Sequence, residues 1–481
     1  MSAKAIVRSL LPKNRFARSV SILAGGTAVG QGIVILASPL LTRLYGPEDF
    51  GLLAVYTALL GITTVVSSLR YQLAIPLPES DEEAAHVVAL SLLVVLGMAL
   101  LTALATFLFR HTIAEALNAP ALADFLWLLP VGVLLTGIYQ VFNYWAIRTG
   151  AFSAVARTKL MQGFSMVGVQ LAGFTLGPLA LLLGQVTGHA AGVTGLGTLA
   201  VRQRWNVFKR VRLPGIGQAA RRYKHFPLFS TWGSVFNAVG QQLPFLLLAA
   251  LFSSGAAGVY LLAQRVLTAP MGLIGKGIAD VFFSSAAEAR RNGVLGDLVA
   301  DIHEKLAHIA MPPTLILALA GPEIFAIAFG QEWRQAGLFA QWMAPWGYLV
   351  LVTSPLSTLF SVLEKQFHEM LFQGLLLGTR LVALLFGAYL GDVLIAVALF
   401  SLSSAACYLV FLIWLMRASG NDWTASWAGT ARALVWSAFS VSPLLVLYTS
   451  TDDSFLWSAA FGLTGLMVAS RYLFLMKRAW Q

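Results

Sequence analysis

The segment "GVYLLAQRVLTAPMGLIGKGIADVFF", residues 258–283, decides the fold class, because it is long and apolar enough to cross a bilayer. It nevertheless contains Arg265, Lys276 and Asp280. A charged side chain at the centre of a membrane helix costs roughly 2.5–3.5 kcal/mol on insertion scales, so such residues face other helices or a water-filled cavity. The segment therefore predicts a membrane helix with a polar stripe.

The composition extends this prediction to the whole chain. Of the 481 residues, 58% are hydrophobic and only 11% are charged, whereas soluble proteins carry about 25% charged residues. Windows of about 20 apolar residues predict an all-α polytopic membrane protein with fourteen spans, or twelve if closely connected spans are counted together. The predicted spans are 19–44, 50–75, 84–109, 122–147, 153–175, 178–201, 226–252, 257–285, 304–330, 336–362, 366–390, 392–416, 430–449 and 455–476.

The distribution of basic residues predicts the orientation. Of the 32 lysines and arginines, 25 fall in the two termini and in or near the even-numbered connections, and only Arg43, Arg110 and Arg334 fall in or near the odd-numbered connections. Cytoplasmic loops carry the excess of basic residues, so both termini are expected in the cytoplasm. This pattern accounts for the net charge of +11 without a nucleic-acid partner.

The longest inner connection predicts the division into domains. It is the basic segment 202–225, which we interpret as a cytoplasmic linker lying on anionic lipid headgroups, with partner binding as the alternative. On this division, residues 1–201 form an N-terminal lobe of six spans and 226–416 a C-terminal lobe of six. Residues 417–481 form an appendage of two spans.

A weak internal repeat relates the two lobes. Aligning Gly51 with Gly258 places similar residues around both glycines, and "AVGQ" occurs at 28–31 and again at 238–241. An even number of spans per copy gives parallel halves related by an axis along the membrane normal, with substrate between them.

Deep charges are the candidate substrate-binding residues. Arg265 and Lys276 lie about 20° apart around a helix, hence on one face. Asp280 follows Lys276 by four residues and is the candidate for ion coupling, with an ion pair between Lys276 and Asp280 towards the cytoplasmic end as the structural alternative. Arg380 lies near the midplane of its span, with bonds to helix carbonyls as the structural alternative. A net positive site suits phosphate oxygens, which guanidinium groups bind bidentately.

Weaker candidates lie nearer the span ends or are neutral. Arg70 and Lys159 lie in the inner thirds of spans two and five, where snorkelling to the interface explains them equally well. Gln31, Gln241 and Asn237 are candidate substrate contacts in the first span of each half, with interhelical hydrogen bonds as the alternative.

Three stretches carry a family resemblance: "LLTRLYGPEDFGLLAVYTALLG" (40–61), "YKHFPLF" (223–229) continued by "LPFLLLAALFSSGAAGVYLLAQRVLTAPMGLIG" (243–275), and "GPEIFAIAFGQEWRQAG" (321–337). Over about residues 15–416 the chain resembles the lipid-linked oligosaccharide flippases, the Wzx-like branch of the multidrug/oligosaccharidyl-lipid/polysaccharide superfamily. The resemblance implies two six-helix lobes around a central cationic cavity in a bacterial inner-membrane protein. It also implies an undecaprenyl-pyrophosphate-linked glycan as cargo, with a polysaccharide polymerase and a chain-length regulator as further candidate partners.

Two other functions remain open from the residues. A cation-coupled multidrug exporter would need acidic residues deep in the early spans, and spans one to six contain none clearly away from their ends. A membrane glycosyltransferase or polymerase could use Glu48 and Asp49, but "GPEDFG" is also a helix-start signal. The sequence shows no metal-ligand cluster, phosphate loop or nucleophile constellation. We therefore expect a transporter without a cofactor, and leave open a coupling ion, H⁺ or Na⁺.

Overall fold

The described chain is helical throughout, which confirms the all-α prediction. The computed structural model describes residues 15–270, 288–421, 423–448 and 462–472, together with residues 282, 285, 286 and 460. It contains no β-strand within these ranges. Eight helices in the described ranges are long and apolar enough to cross a membrane, so the chain is a multi-pass membrane protein. The count of fourteen spans stays a prediction.

The chain forms two compact units that divide after Leu261. This division lies within a helix that follows the predicted linker, and the four-part division predicted from the sequence stays a prediction. The helices of the first unit are α1 (Arg15–Leu44), α2 (Pro47–Val66), α3 (Asp81–Ala116), α4 (Leu128–Arg148), α5 (Phe152–Ala172), α6 (Pro178–Phe208), α7 (Leu213–Arg222) and α8 (Thr231–Leu251). Helix α9 (Ser254–Pro270) begins in the first unit and ends in the second. The helices of the second unit are α10 (Leu295–Phe329), α11 (Arg334–Thr353), α12 (Gln366–Tyr389), α13 (Val393–Ala418) and α14 (Trp423–Tyr448).

Helix α2 begins as the sequence predicts and ends earlier than expected. Pro47 occupies its first turn, and the carboxylate of Asp49 accepts a hydrogen bond from the backbone N–H of Gly46 at 3.2 Å. The acidic pair at 48–49 is thus used in starting the helix. The predicted span 50–75 was too long, because α-helical geometry stops at Val66 and a 3₁₀ turn follows at Tyr71–Ala74.

The two glycines aligned by the repeat pack against each other. A Cβ on Gly258 would lie 2.5 Å from the backbone nitrogen of Gly51 and closer still to the carbonyl of Pro47. A Cβ on Gly51 would meet the carbonyl of Ser254 and the nitrogen of Gly255. The contact is reciprocal, because each glycine faces the backbone at the start of the other's helix. Only glycine at both positions allows the starts of α2 and α9 to approach this closely.

The basic linker is folded against the protein. Arg204, Arg210 and Arg222 form ion pairs with Asp81, Glu82 and Glu83 respectively, in the first turn of α3. Helix α7 within the linker packs against the same end of α3. These three arginine side chains remain exposed beside their carboxylate partners, so our interpretation of the linker as a headgroup-binding segment stays a prediction.

Candidate functional site

Arg380 is held by its neighbours in the second unit. Its Nε donates a hydrogen bond to Ser404 Oγ at 2.9 Å. The centre of its guanidinium group lies 5.2 Å from the ring centroids of both Trp346 and Phe400. Cation–π contacts and a charge-assisted hydrogen bond are interactions that join helices. These contacts favour an interhelical role for Arg380, and its predicted role in substrate binding stays a prediction.

Arg70 lies outside any regular membrane helix. It follows the end of α2, with a left-handed φ of 64°, and Leu69 before it also has a positive φ, of 46°. Its Nε donates to Ser234 Oγ at 3.0 Å, which ties the inner end of α2 to α8. The prediction that placed Arg70 inside span two was therefore wrong about its setting, and its binding role is untested.

The remaining predicted residues fall into three settings. Arg265 is partly exposed on α9. Lys276 and Asp280 lie outside the described residues, so the structure gives no geometry for either. Gln241 and Asn237 are exposed on α8, and Gln241 Nε2 donates to Asn237 Oδ1 at 3.2 Å.

Gln31 leads to a pocket that the sequence did not reveal. Within the first unit, α1, α5 and α6 enclose an open pocket with a cavity volume of about 200 Å³. Its polar lining consists of Thr27, Gln31, Lys159, Gln162, Gln185 and His189. No carboxylate is among its lining residues. We call this cleft the α1–α5–α6 pocket.

Rows of glycine bring these three helices together. A Cβ on Gly30 would lie 2.8 Å from the carbonyl oxygen of Lys159, and a Cβ on Gly163 would lie 2.9 Å from the carbonyl oxygen of Gly30. On α6, Gly184, Gly188 and Gly192 recur every four residues and face α5. Small residues at this spacing let membrane helices approach closely. The polar side chains beside these glycines then converge on one space.

The pocket lies near the middle of the predicted membrane. At 1.5 Å per residue, Lys159 is ~10 Å along α5 from its start at Phe152, and His189 is ~16 Å along α6 from its start at Pro178, which lies on the other side of the predicted membrane. The hydrocarbon core is about 30 Å thick. Lys159 Nζ also lies 4.9 Å from the centroid of the Tyr139 ring on α4. The pocket thus presents one ammonium group, a histidine and three amides at membrane depth.

Sequence reasoning missed His189, Gln162 and Gln185, and treated Lys159 as marginal. A signal was present, because Gln185 and His189 each follow a glycine of the row on α6. A polar residue beside a glycine row predicts a polar group at a close helix contact. Among the described residues, no group of three or more His, Cys, Asp or Glu side chains could hold a metal ion.

Comparison with known proteins identifies the family. A family model described as "Polysaccharide biosynthesis protein" matches residues 40–337, which is more than half of the chain. The chain belongs to this polysaccharide biosynthesis family.

Individual relatives of this family member are distant. It is 22% identical over 355 residues to the lipopolysaccharide biosynthesis protein WzxC of Escherichia coli (strain K12), covering 70% of this chain and 68% of the relative. It is also 22% identical over 321 residues to the succinoglycan biosynthesis transport protein ExoT of Rhizobium meliloti (strain 1021), covering 63% and 60%. Among solved structures, the lipid II flippase MurJ in an inward closed conformation superposes with a TM-score of 0.73 and 11% identity, covering 95% of this chain and 99% of the other.

The family match and the shared fold agree on the class of protein. This member of the polysaccharide biosynthesis family has the fold of the superfamily that the sequence resembles. The matched family and the shared fold favour a membrane transporter of polysaccharide precursors over an enzyme.

Proposed function

We propose that the protein moves undecaprenyl-pyrophosphate-linked oligosaccharide units from the cytoplasmic to the periplasmic leaflet of a bacterial inner membrane, by alternating access. Two relatives are named for lipopolysaccharide biosynthesis and succinoglycan transport, and the structural neighbour is named as a lipid II flippase. A lipid-linked glycan is the cargo class that these names share. Both termini would lie in the cytoplasm, and a polymerase and a chain-length regulator would act on the delivered product.

The sign of the deep charges is the observation that carries the proposal. In the helices that the structure describes, no aspartate or glutamate lies in the middle third of a helix of membrane-spanning length. Lys159 and Arg380 do lie there, and Arg265 lies within α9. A cationic interior favours an anionic cargo and disfavours organic cations. Arg265 is our candidate for binding the pyrophosphate, because a guanidinium group matches phosphate oxygens geometrically.

The membrane potential supplies a driving force for such a cargo. Each elementary charge that crosses the membrane gains about 2.3 kcal/mol per 100 mV. A pyrophosphate diester with about two negative charges therefore gains roughly 4–5 kcal/mol per 100 mV when it moves outward across an inside-negative membrane. Potential-driven transport requires no coupled ion. Asp280 is the candidate if one exists, and unchanged ion dependence of export in an Asp280→Asn variant would remove it.

The test is mass spectrometry of lipids that co-purify with the full-length protein. We expect a polyprenyl-pyrophosphate glycan on the wild type and at least tenfold less on Arg265→Gln, because a hydrogen bond to a charged group contributes about 1.5–3 kcal/mol. Arg380→Gln is the comparison variant, since it removes the same charge from a side chain that contacts Ser404, Trp346 and Phe400, and it should retain more of the glycan lipid than Arg265→Gln.

The outcomes separate the site from the function. Equal recovery of the glycan lipid from wild type and Arg265→Gln would mean that the pyrophosphate binds elsewhere. It would not contradict the proposed cargo. Absence of any polyprenyl-linked glycan from wild type isolated from cells that synthesise one would contradict the proposed function. Resistance to cationic dyes on expression would support the multidrug alternative instead.

A further inference from the structure

The C-terminal end of α2 is broken where the sequence favours a continuous helix. Residues 67–74, "SSLRYQLA", contain no glycine or proline. The strong helix formers among these residues are Leu69, Arg70, Gln72, Leu73 and Ala74. The first residue that is restrained against α-helical geometry is Ile75, because Pro76 follows it. Helix α2 would therefore be expected to continue to about Ala74, but it ends at Val66.

The break places two consecutive residues other than glycine in the left-handed region. Leu69 has a φ of 46° and Arg70 has a φ of 64°. Left-handed backbone brings Cβ too close to the following carbonyl oxygen, so both residues raise the free energy of the broken form. The amides of Leu69, Tyr71 and Leu73 bond to the carbonyl three residues earlier, at 3.0 Å each. A continuous helix would bond the same amides four residues earlier, so the backbone favours the continuous form.

Side-chain contacts stabilise the broken form instead. Gln72 Nε2 donates a hydrogen bond to Gln140 Oε1 of α4 at 3.1 Å, and Gln72 is 1% exposed. Ser68 Oγ, which is also buried, donates to Gln72 Oε1. Arg70 Nε donates to Ser234 Oγ of α8 at 3.0 Å. Straightening the segment would displace Gln72 and Arg70 from these partners.

The two sets of contributions oppose each other, as a two-state element requires. The left-handed residues favour the continuous helix, whereas the hydrogen bonds to Gln140 and Ser234 favour the break. Both bonds join the end of α2 to other helices. A movement of α4 or α8 relative to α2 therefore changes the balance between the two forms.

We infer that the C-terminal end of α2 is a conformational switch. Residues 67–74 are broken away from the helix in this structure, and they extend α2 to about Ala74 in another state of the transport cycle. When the helix straightens, Arg70 moves away from Ser234, so the switch links the position of a candidate substrate-binding cation to the state of the protein. Alternating access supplies the second state, and the inference rests on the proposed function for that reason.

The test measures a distance along α2 in the full-length protein by pulsed electron paramagnetic resonance. Spin labels are attached to cysteines that replace Thr57 and Leu73, which lie on either side of the break and are partly exposed, in a Cys407→Ser background. In a continuous helix these two positions are about 24 Å apart at 1.5 Å per residue. The broken form gives a different distance, because the left-handed residues change the direction of the chain.

Leu69→Ile and Leu69→Gly should change the ratio of the continuous to the broken form in opposite directions. Isoleucine keeps the volume of leucine but is β-branched, which makes a left-handed φ far less favourable, so the ratio should rise roughly fivefold or more. Glycine adopts a left-handed φ freely and disfavours a helix interior, so the ratio should fall. Leu59→Ile is the matched control, because it makes the same change within the regular part of α2 and should leave the ratio unchanged.

A second variant keeps the inference testable if Leu69→Ile fails to fold. Gln140→Leu removes the acceptor of Gln72 Nε2 and leaves α2 itself unchanged, so it should also raise the ratio. A single distance, the same in the wild type and in all variants, would show that the break is fixed and would overturn the inference. An equal change in Leu59→Ile and Leu69→Ile would also overturn it, because the effect would then not depend on the left-handed position.

The switch and the proposed function can be contradicted separately, because the distance measurement requires no cargo. If a polyprenyl-pyrophosphate glycan co-purifies with the wild type but the break is fixed, only the switch is wrong. If the distances change as expected but no polyprenyl-linked lipid is recovered, the switch is supported and the proposed cargo is wrong.

Discussion

Lys159 and Arg380 are both cations in the middle of a membrane helix next to an aromatic ring, but their surroundings differ. Arg380 lies 5.2 Å from two ring centroids and donates to Ser404, whose side chain is fully buried. Lys159 lies 4.9 Å from one ring and lines an open pocket with three amides. The two cations thus differ in what lies beside them, which is neighbouring side chains for Arg380 and open space for Lys159. We propose that this space separates a structural from a functional role.

Among the substitutions that test this comparison, Trp346→Leu is expected to lower the free energy of unfolding the most. Trp346 is 7% exposed, and its truncation removes both core packing and one of the rings over Arg380. Trp→Ala substitutions in cores cost 3–5 kcal/mol, so we expect about 3 kcal/mol of lost unfolding free energy for Leu. Denaturation of the detergent-solubilised protein, followed by circular dichroism, measures it.

Trp342→Leu is the matched control for this experiment. Trp342 lies on the same helix and is 43% exposed, so its substitution should have a far smaller effect. Similar losses of unfolding free energy in the two variants would mean that the Trp346 ring does not specifically stabilise Arg380. The proposed difference between Arg380 and Lys159 would then be wrong.

Filling the pocket tests the other side of the comparison. A Cβ on Gly188 would lie 3.2 Å from the carbonyl oxygen of Gln162 and 3.3 Å from Met166 Cβ, so alanine requires only a small shift of neighbouring atoms. A leucine would project further into the space that Gly188 lines. We expect Gly188→Leu to reduce glycan export at least tenfold and Gly188→Ala to keep most of it, measured in cells that lack their own copy. Full export by the leucine variant would show that the pocket is not used.

The sequence could place cations along a helix, and could not predict what surrounds them. Depth follows from counting residues along one helix, which explains why Arg265 and Arg380 were proposed as deep charges and why Lys159, nearer the end of its predicted span, was treated as marginal. Their partners belong to other helices, as Tyr139 does for Lys159 and Ser404 for Arg380. Helix pairing depends on tertiary packing that one sequence does not specify.

The Gly51–Gly258 alignment and the end of α2 show what else the sequence could and could not predict. Gly51 and Gly258 were aligned as repeat equivalents, and the structure brings them into contact. The end of α2 at Val66 was missed, because no proline or glycine follows it within the next several residues. The turn there is supported by side chains instead, with Ser67 Oγ donating to the carbonyl of Thr64 at 2.8 Å. Hydropathy indicates burial in the membrane and does not detect such a turn.

A smaller effect is expected from Ser404→Ala. The substitution leaves the Arg380 Nε without its acceptor at 2.9 Å, and losing a hydrogen bond to a charged group costs about 1.5–3 kcal/mol. We expect about 1.5 kcal/mol of destabilisation with export per folded molecule unchanged. Ser403→Ala is the control, because Ser403 Oγ donates only to the carbonyl of Phe400 on its own helix. Lost export at unchanged stability would indicate that Arg380 binds the cargo, and would contradict its interhelical role.

Tyr139→Phe should have the smallest effect, and it isolates what the ring contributes to Lys159. The Tyr139 hydroxyl is buried and has no hydrogen-bond partner among the described residues, while the ring lies 4.9 Å from Lys159 Nζ. Removing an unsatisfied hydroxyl and keeping the ring should leave export unchanged and stabilise the protein by up to about 1 kcal/mol, measured by the same denaturation experiment. Reduced export would instead show that the hydroxyl contacts the cargo. The polar lining of the pocket would then include Tyr139 on α4, beside Lys159.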